Sequence, residues 1–146
     1  MSYMILATAF RADNDEATNL KRNSLLRAAL ESNGIEVKTR EVEGCFREDG
    51  QDDYSVEATL QAMPLSWGKA LEAADIACVS FQQDCVLVVD MASMEASLLA
   101  AKGNGYTRTV IGHWRQATEA DALASGAYTK FAGIEGVSGE SYFICE

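Results

Sequence analysis

The chain changes hydrophobic period at its one proline. Ahead of Pro64, the segment 55–63 (SVEATLQAM) alternates: Val56, Ala58, Leu60 and Ala62 fall on one side, Glu57, Thr59 and Gln61 on the other. Period two marks a strand with two unlike faces. Behind Pro64, residues Trp67, Ala70, Leu71, Ala74, Cys78 and Phe81 recur at helical spacing, and Ser66 stands where a helix opens. The switch puts a strand–helix unit in the middle of the chain, and the flanking segments must pack on it.

The flanks supply further elements. Residues 2–10 (SYMILATAF) read as a first strand. A helix follows, with Asn14 as N-cap and Asp15 and Glu16 in its first turn, running to about Asn33 with Gly34 as its stop. Its first half (TNLKRN) is polar, so only Leu25, Leu26, Ala29 and Leu30 need deep packing. Residues 35–46 (IEVKTREVEGCF) read as a second strand. Ile35 and Val37 differ in parity from Val42, Gly44 and Phe46, so either it bulges near Arg40 or Phe46 faces away from Ile35. The acidic stretch 47–53 (REDGQDD) is a turn or mobile loop. Residues 85–91 (CVLVVDM) form a continuous apolar run suited to a central strand.

The order β-α-β-β-α-β predicts an α+β fold: a ferredoxin-like plait, PII-like, with an antiparallel sheet and two helices on one face. Residues 95–102, 106–114 and 141–146 are extra C-terminal strands, with a short helix near 117–125. The AKGNGY stretch, 101–106, is a hairpin turn, since its G-x-G lies between strands and opens no helix. No linker divides the chain, which reads as a single domain, 1–146.

The net charge is −10, from 12 Lys and Arg against 22 Asp and Glu. Nonspecific nucleic-acid binding needs a basic face, so this balance argues against it and permits a cationic ligand. It also permits an acidic protein that imitates DNA. No apolar run is long enough to span a membrane, and the N-terminus lacks the basic lead of a signal peptide, so a cytoplasmic location is expected. Cys45, Cys78, Cys85 and Cys145 show no metal spacing and read as buried thiols in a reducing compartment. No triad, phosphate loop or nucleophile elbow is present. A Cys–His pair using His113 rests on residue types alone. Glu57 is the one charge in its alternating strand: either solvated on an outer face or a carboxylate aimed at a ligand from a rigid element. Glu95 and Asp90 have similar standing. Arg11 and Arg47 end their strands and can simply pair with acids.

Several segments together resemble the small S-adenosylmethionine lyases encoded by bacteriophages, long called hydrolases. They are AFR at 9–11, DEATN at 15–19, GCFRE at 44–48, Glu57, QDCVLV at 83–88 and AKGNGY at 101–106. The resemblance covers about 5–117 and leaves 118–146 as a variable tail. It implies cleavage of S-adenosylmethionine to 5′-methylthioadenosine and homoserine lactone, depleting the methyl donor of host restriction and modification. It also implies a homotrimer with substrate between subunits, no metal or other cofactor, and no nucleic-acid or membrane partner.

On this resemblance Glu57 aligns with the family's essential Glu and would hold the substrate's ammonium or orient its chain. Phe46 stands where the family has Tyr; its ring can still face the sulfonium by cation–π attraction, but the hydroxyl is gone. Backbone at Ala9, Phe10 and Arg11 would recognise the adenosine or amino-acid part. Arg47 and Glu48 would pair in the pocket or between subunits, Cys45 would pack, and Glu95 would join the substrate-binding set. Two alternatives remain open at this point: an acidic inhibitor that mimics DNA, and a PII-like sensor that binds S-adenosylmethionine without cleaving it.

Overall fold

The computed structural model describes residues 2–48, 51–133 and 139–146. Asp49 and Gly50, which belong to the expected acidic turn, lie outside the described residues.

Strand β1 (Tyr3–Ala7) leads to helix α1 (Glu16–Ser32). The N-cap is Asp15, not Asn14: its carboxylate accepts from the Thr18 N–H at 2.7 Å. Asn33 caps the other end, and Gly34 follows at φ +76°, a conformation that glycine adopts freely. The expected second strand is broken in two, β2 (Glu36–Val37) and β3 (Val42–Phe46). Arg40 sits at the break, donating to the Ala132 carbonyl at 2.6 Å and lying over the Phe131 ring. β4 (Ser55–Met63) is the alternating segment. After Pro64, Ser66 caps α2 (Trp67–Asp75) through the Lys69 N–H, and α2 widens into a π-helical turn, Ile76–Ser80. β5 (Val86–Asp90) leads through a tight turn to β6 (Glu95–Lys102). A two-residue hairpin turn, Gly103–Asn104, joins it to β7 (Gly105–Ala117). Helix α3 (Glu119–Ser125) and strands β8 (Ala127–Phe131) and β9 (Ser141–Cys145) complete the described chain.

These strands do not make a ferredoxin-like plait. Eight of them close into an antiparallel barrel in the order β1–β5–β6–β7–β9–β8–β3–β4, with β4 pairing back onto β1; β2 pairs with the end of β4. In a plait the outer edges of the second and fourth strands would be open. Here β8 pairs along all of β3 (Val42↔Phe131, Phe46↔Ala127), β6 pairs with β5, and β9 bridges β7 to β8. The C-terminal strands therefore do not extend a sheet; they close it, which removes the edges that would invite pairing with other chains. β8 was not foreseen, although Tyr128, Thr129 and Phe131 are strand-favouring residues.

Closure divides the apolar residues into two cores. Outside the barrel, Ile5, Leu60, Ala62, Val88 and Leu99 pack against Leu26, Leu30, Ala70 and Ala74 of α1 and α2. Inside it, Met4, Leu6, Val42, Val89, Ala96, Trp114 and Phe131 meet across the lumen, and Trp114 stacks on Phe143 at 5.0 Å. β5 is buried on both faces, as its sequence predicts. Among the described residues, no helix is long and apolar enough to cross a membrane.

Candidate active site

The alternation of β4 sends its apolar half outward to the helices and its polar half inward. Val42 is a lumen residue, and β3 pairs with β4 at Val42↔Thr59 and Gly44↔Glu57. Residues directly opposite share a face, so Glu57, Thr59 and Phe46 all stand on the inner wall. This departs from the expected solvated outer face: the face is an inner one, and Glu57 is only partly solvated. Burial pushes its carboxyl above the ordinary glutamate value. Among the described residues the carboxylate makes no ion pair and accepts no hydrogen bond, while the backbone carbonyl of Glu57 accepts from the Thr59 hydroxyl at 3.0 Å.

Beside it the wall has a gap. Gly44 lies between Glu57 on one neighbouring strand and Thr129 on the other. A Cβ there would come 3.1 Å from the Thr59 hydroxyl, which accepts from the Gly44 N–H. The gap opens into a cleft of about 340 Å³ at the barrel mouth. Its inner lining includes Gly44, Phe46, Leu87, Leu98, Thr129 and Phe143. The volume lies within the range of small-molecule sites, about 300–1,000 Å³. Glu57 is beside this lining at Gly44 and is not part of it.

The other expected site residues are elsewhere within one chain. Arg47 lies over the Tyr54 ring, its N–H bonded to the Gly126 carbonyl, and forms no intrachain ion pair with Glu48. Glu95 is on the helix-facing side, 3.6 Å from Arg108, which lies over Trp67. Cys45 has outward parity but still borders the cleft, beside Tyr128, whose pKa is pushed up to about 12 by burial and then by that thiol. Burial raises all four thiols, so none is an activated thiolate, and among the described residues the four are unpaired. Only Cys45 is fully buried.

The loop Ala9–Phe10–Arg11 lies on the outer side of β4, and its peptide groups are already occupied. Asn23 Oδ1 accepts from the Ala9 N–H at 2.6 Å and Arg22 donates to the Ala9 carbonyl at 2.7 Å. The Phe10 N–H donates to the Thr8 hydroxyl, and Gln83 donates to the Phe10 carbonyl. Asn19 takes both groups of Arg11, at 2.9 and 3.1 Å. The loop can therefore offer a ligand side chains, not free backbone. Asn23 also donates to the Ala58 carbonyl at 2.8 Å, tying the loop to the strand that carries Glu57. Sequence reading assigned Asn19 and Asn23 no role of their own and required deep packing only of the later turns of α1; both are buried. Their signal was spacing: 19, 23, 26 and 30 form one stripe with the buried leucines.

Two comparisons bear on what this geometry serves. The family model described as "S-Adenosylmethionine lyase family" matches residues 5–144, which takes in β8 and all but the last residue of β9. A protein of Enterobacteria phage T3 named S-Adenosylmethionine lyase is 34% identical over 109 residues, 71% of this chain and 71% of its own length.

Proposed function

The chain belongs to the S-adenosylmethionine lyase family, and from that premise we propose where and how it cleaves S-adenosylmethionine. The observation that carries the reading is the unpartnered carboxylate of Glu57 on the inner wall, next to the gap at Gly44 and the mouth of the cleft. A carboxylate held off water attracts a cationic ligand, and this substrate has two cationic centres, an ammonium and a sulfonium.

The substrate carries its own nucleophile. One oxygen of its carboxylate attacks Cγ, the Cγ–S bond breaks with its electron pair passing to sulfur, and the sulfonium leaves as neutral methylthioadenosine. The other product is homoserine lactone, still bearing its ammonium. No proton moves, so no general base and no protein nucleophile is required. This suits a site whose thiols are held protonated. What the protein supplies is a folded conformer of the substrate and exclusion of water while opposite charges cancel. Glu57 holds the ammonium end, and Phe46, which lines the cleft, turns its ring toward the sulfonium.

The remaining expected contacts make sense in an assembly. Within one chain the loop 9–11 and Glu57 occupy opposite faces of β4, which a site shared between copies of a homotrimer accommodates: the loop of one copy meets the inner wall of the next. Exposed Tyr106 and Val110 on β7 offer apolar surface for such contact, and Leu98 and Ile111 are exposed at the cleft itself. Acting in a host cell's cytoplasm, the enzyme would deplete the methyl donor and blunt restriction and modification.

The test is to incubate the protein with S-adenosylmethionine and identify products over time by chromatography with mass detection. Methylthioadenosine with homoserine lactone is the expected result. Homoserine with no preceding lactone would overturn the intramolecular mechanism in favour of an activated water. Glu57→Gln is expected to abolish turnover with the fold intact, and full activity in that variant would remove Glu57 from the site.

A further inference from the structure

On the inner wall, reading across the strands, Glu57 is followed by Gly44, then Thr129, then Phe143. Thr129 is 8% exposed, lines the cleft and faces the gap left by Gly44. Among the described residues its hydroxyl has no hydrogen-bond partner, and it is not a sealed orphan as the Arg40 guanidinium nitrogen is, so the oxygen is open to the cleft. Two polar side chains without protein partners thus flank a glycine, on strands two spacings apart, about 9–10 Å. Less the reach of the two side chains, that leaves room for the head group of an amino acid.

We infer that Thr129 is a second substrate-binding residue: its hydroxyl donates to the α-carboxylate of S-adenosylmethionine while Glu57 accepts from the ammonium across the Gly44 gap. The inference rests on the proposed reading of Glu57. One carboxylate oxygen is held by Thr129 and becomes the lactone carbonyl oxygen; the other is left free to attack Cγ. Because the carboxylate loses its charge as the ring closes, this hydrogen bond is at least as strong in the bound substrate as in the transition state. Its loss therefore weakens binding more than it slows chemistry.

The test compares wild type, Thr129→Val and Thr129→Ser in steady-state kinetics with S-adenosylmethionine, with far-UV circular dichroism to establish folding. Thr129→Val keeps the side chain's shape and removes the hydroxyl; KM is expected to rise about tenfold with kcat within about threefold. Thr129→Ser, which keeps the hydroxyl, is expected to restore KM to within about twofold. Unchanged KM in Thr129→Val, or an equal loss in Thr129→Ser, would overturn the inference. If Thr129→Val does not fold, Thr129→Ala, which adds no bulk, takes its place in the same comparison. Inactivity of Glu57→Gln alongside unaltered Thr129→Val would sink the role of Thr129 alone, whereas an active Glu57→Gln would sink both.

Discussion

At the scale of single residues, Glu57 makes a prediction about acid. Its carboxyl is raised above 4.5 by burial, so between 4.5 and that higher value the native state holds a proton that the unfolded chain has released. Stability therefore falls as pH rises through this window. Glu57→Gln should be more thermally stable than wild type at neutral pH, and the difference should vanish below 4.5. Catalysis runs the other way, since binding a cation needs the ionised form: kcat/KM should fall as pH drops through the raised value, above the ordinary carboxylate range. Melting and initial-rate series over the same buffers check both limbs. Gly44 makes a second prediction. Gly44→Ala brings a methyl 3.1 Å from the Thr59 hydroxyl and into the gap. It should cost about 1 kcal/mol of stability but roughly tenfold or more in kcat/KM, measured by denaturant melts and kinetics. The parity of Glu57 was legible in the sequence; which side of the sheet that parity faced was not, because alternation separates two faces without saying which one closes around a lumen.

At the scale of elements, α1 is anchored by amides where a leucine stripe was expected to do all the work. Asn23→Ala would strand the Ala9 N–H and remove one of two donors to the Ala58 carbonyl, which keeps the Thr8 hydroxyl. Leaving that donor unsatisfied and losing the second bond costs roughly 2 kcal/mol, which in a chain of this size lowers the melting temperature by about 4–8 °C. A Ser24→Ala control, removing an exposed hydroxyl that bonds only the Leu20 carbonyl, should leave it unmoved. The helices were readable because their local signals are strong: Ser66 ahead of the Trp67 stripe, Gly34 behind Asn33, the turn at Gly103. The N-cap was misplaced by one residue because Asn14 and Asp15 are equally good caps, and only the Thr18 contact separates them. The two-part second strand was readable as a change of parity near Arg40, and the structure makes it a break: Val37 joins the outer core and Val42 the inner.

At the scale of the molecule, the barrel was not legible. Closure is set by pairings such as Gly44↔Thr129, between segments far apart in the chain, and no local period encodes them. The shared-site proposal is also a whole-molecule matter. Light scattering should give three times the 15.8 kDa chain mass. Glu57→Gln and Arg11→Ala, each inactive alone, should regain activity when unfolded and refolded together, because mixed assemblies contain some intact sites. Failure of the mixture to recover would place both residues in one chain's site. The closing pairs carry one more consequence. The inner wall beside Glu57 is finished only when β8, beginning at Ala127, docks on β3, ending at Phe46. Contacts so distant in sequence form slowly, and chains emerge from the ribosome at about 5–20 residues per second. The inner wall is therefore completed, and activity expected, only after translation has passed the eighth and ninth strands.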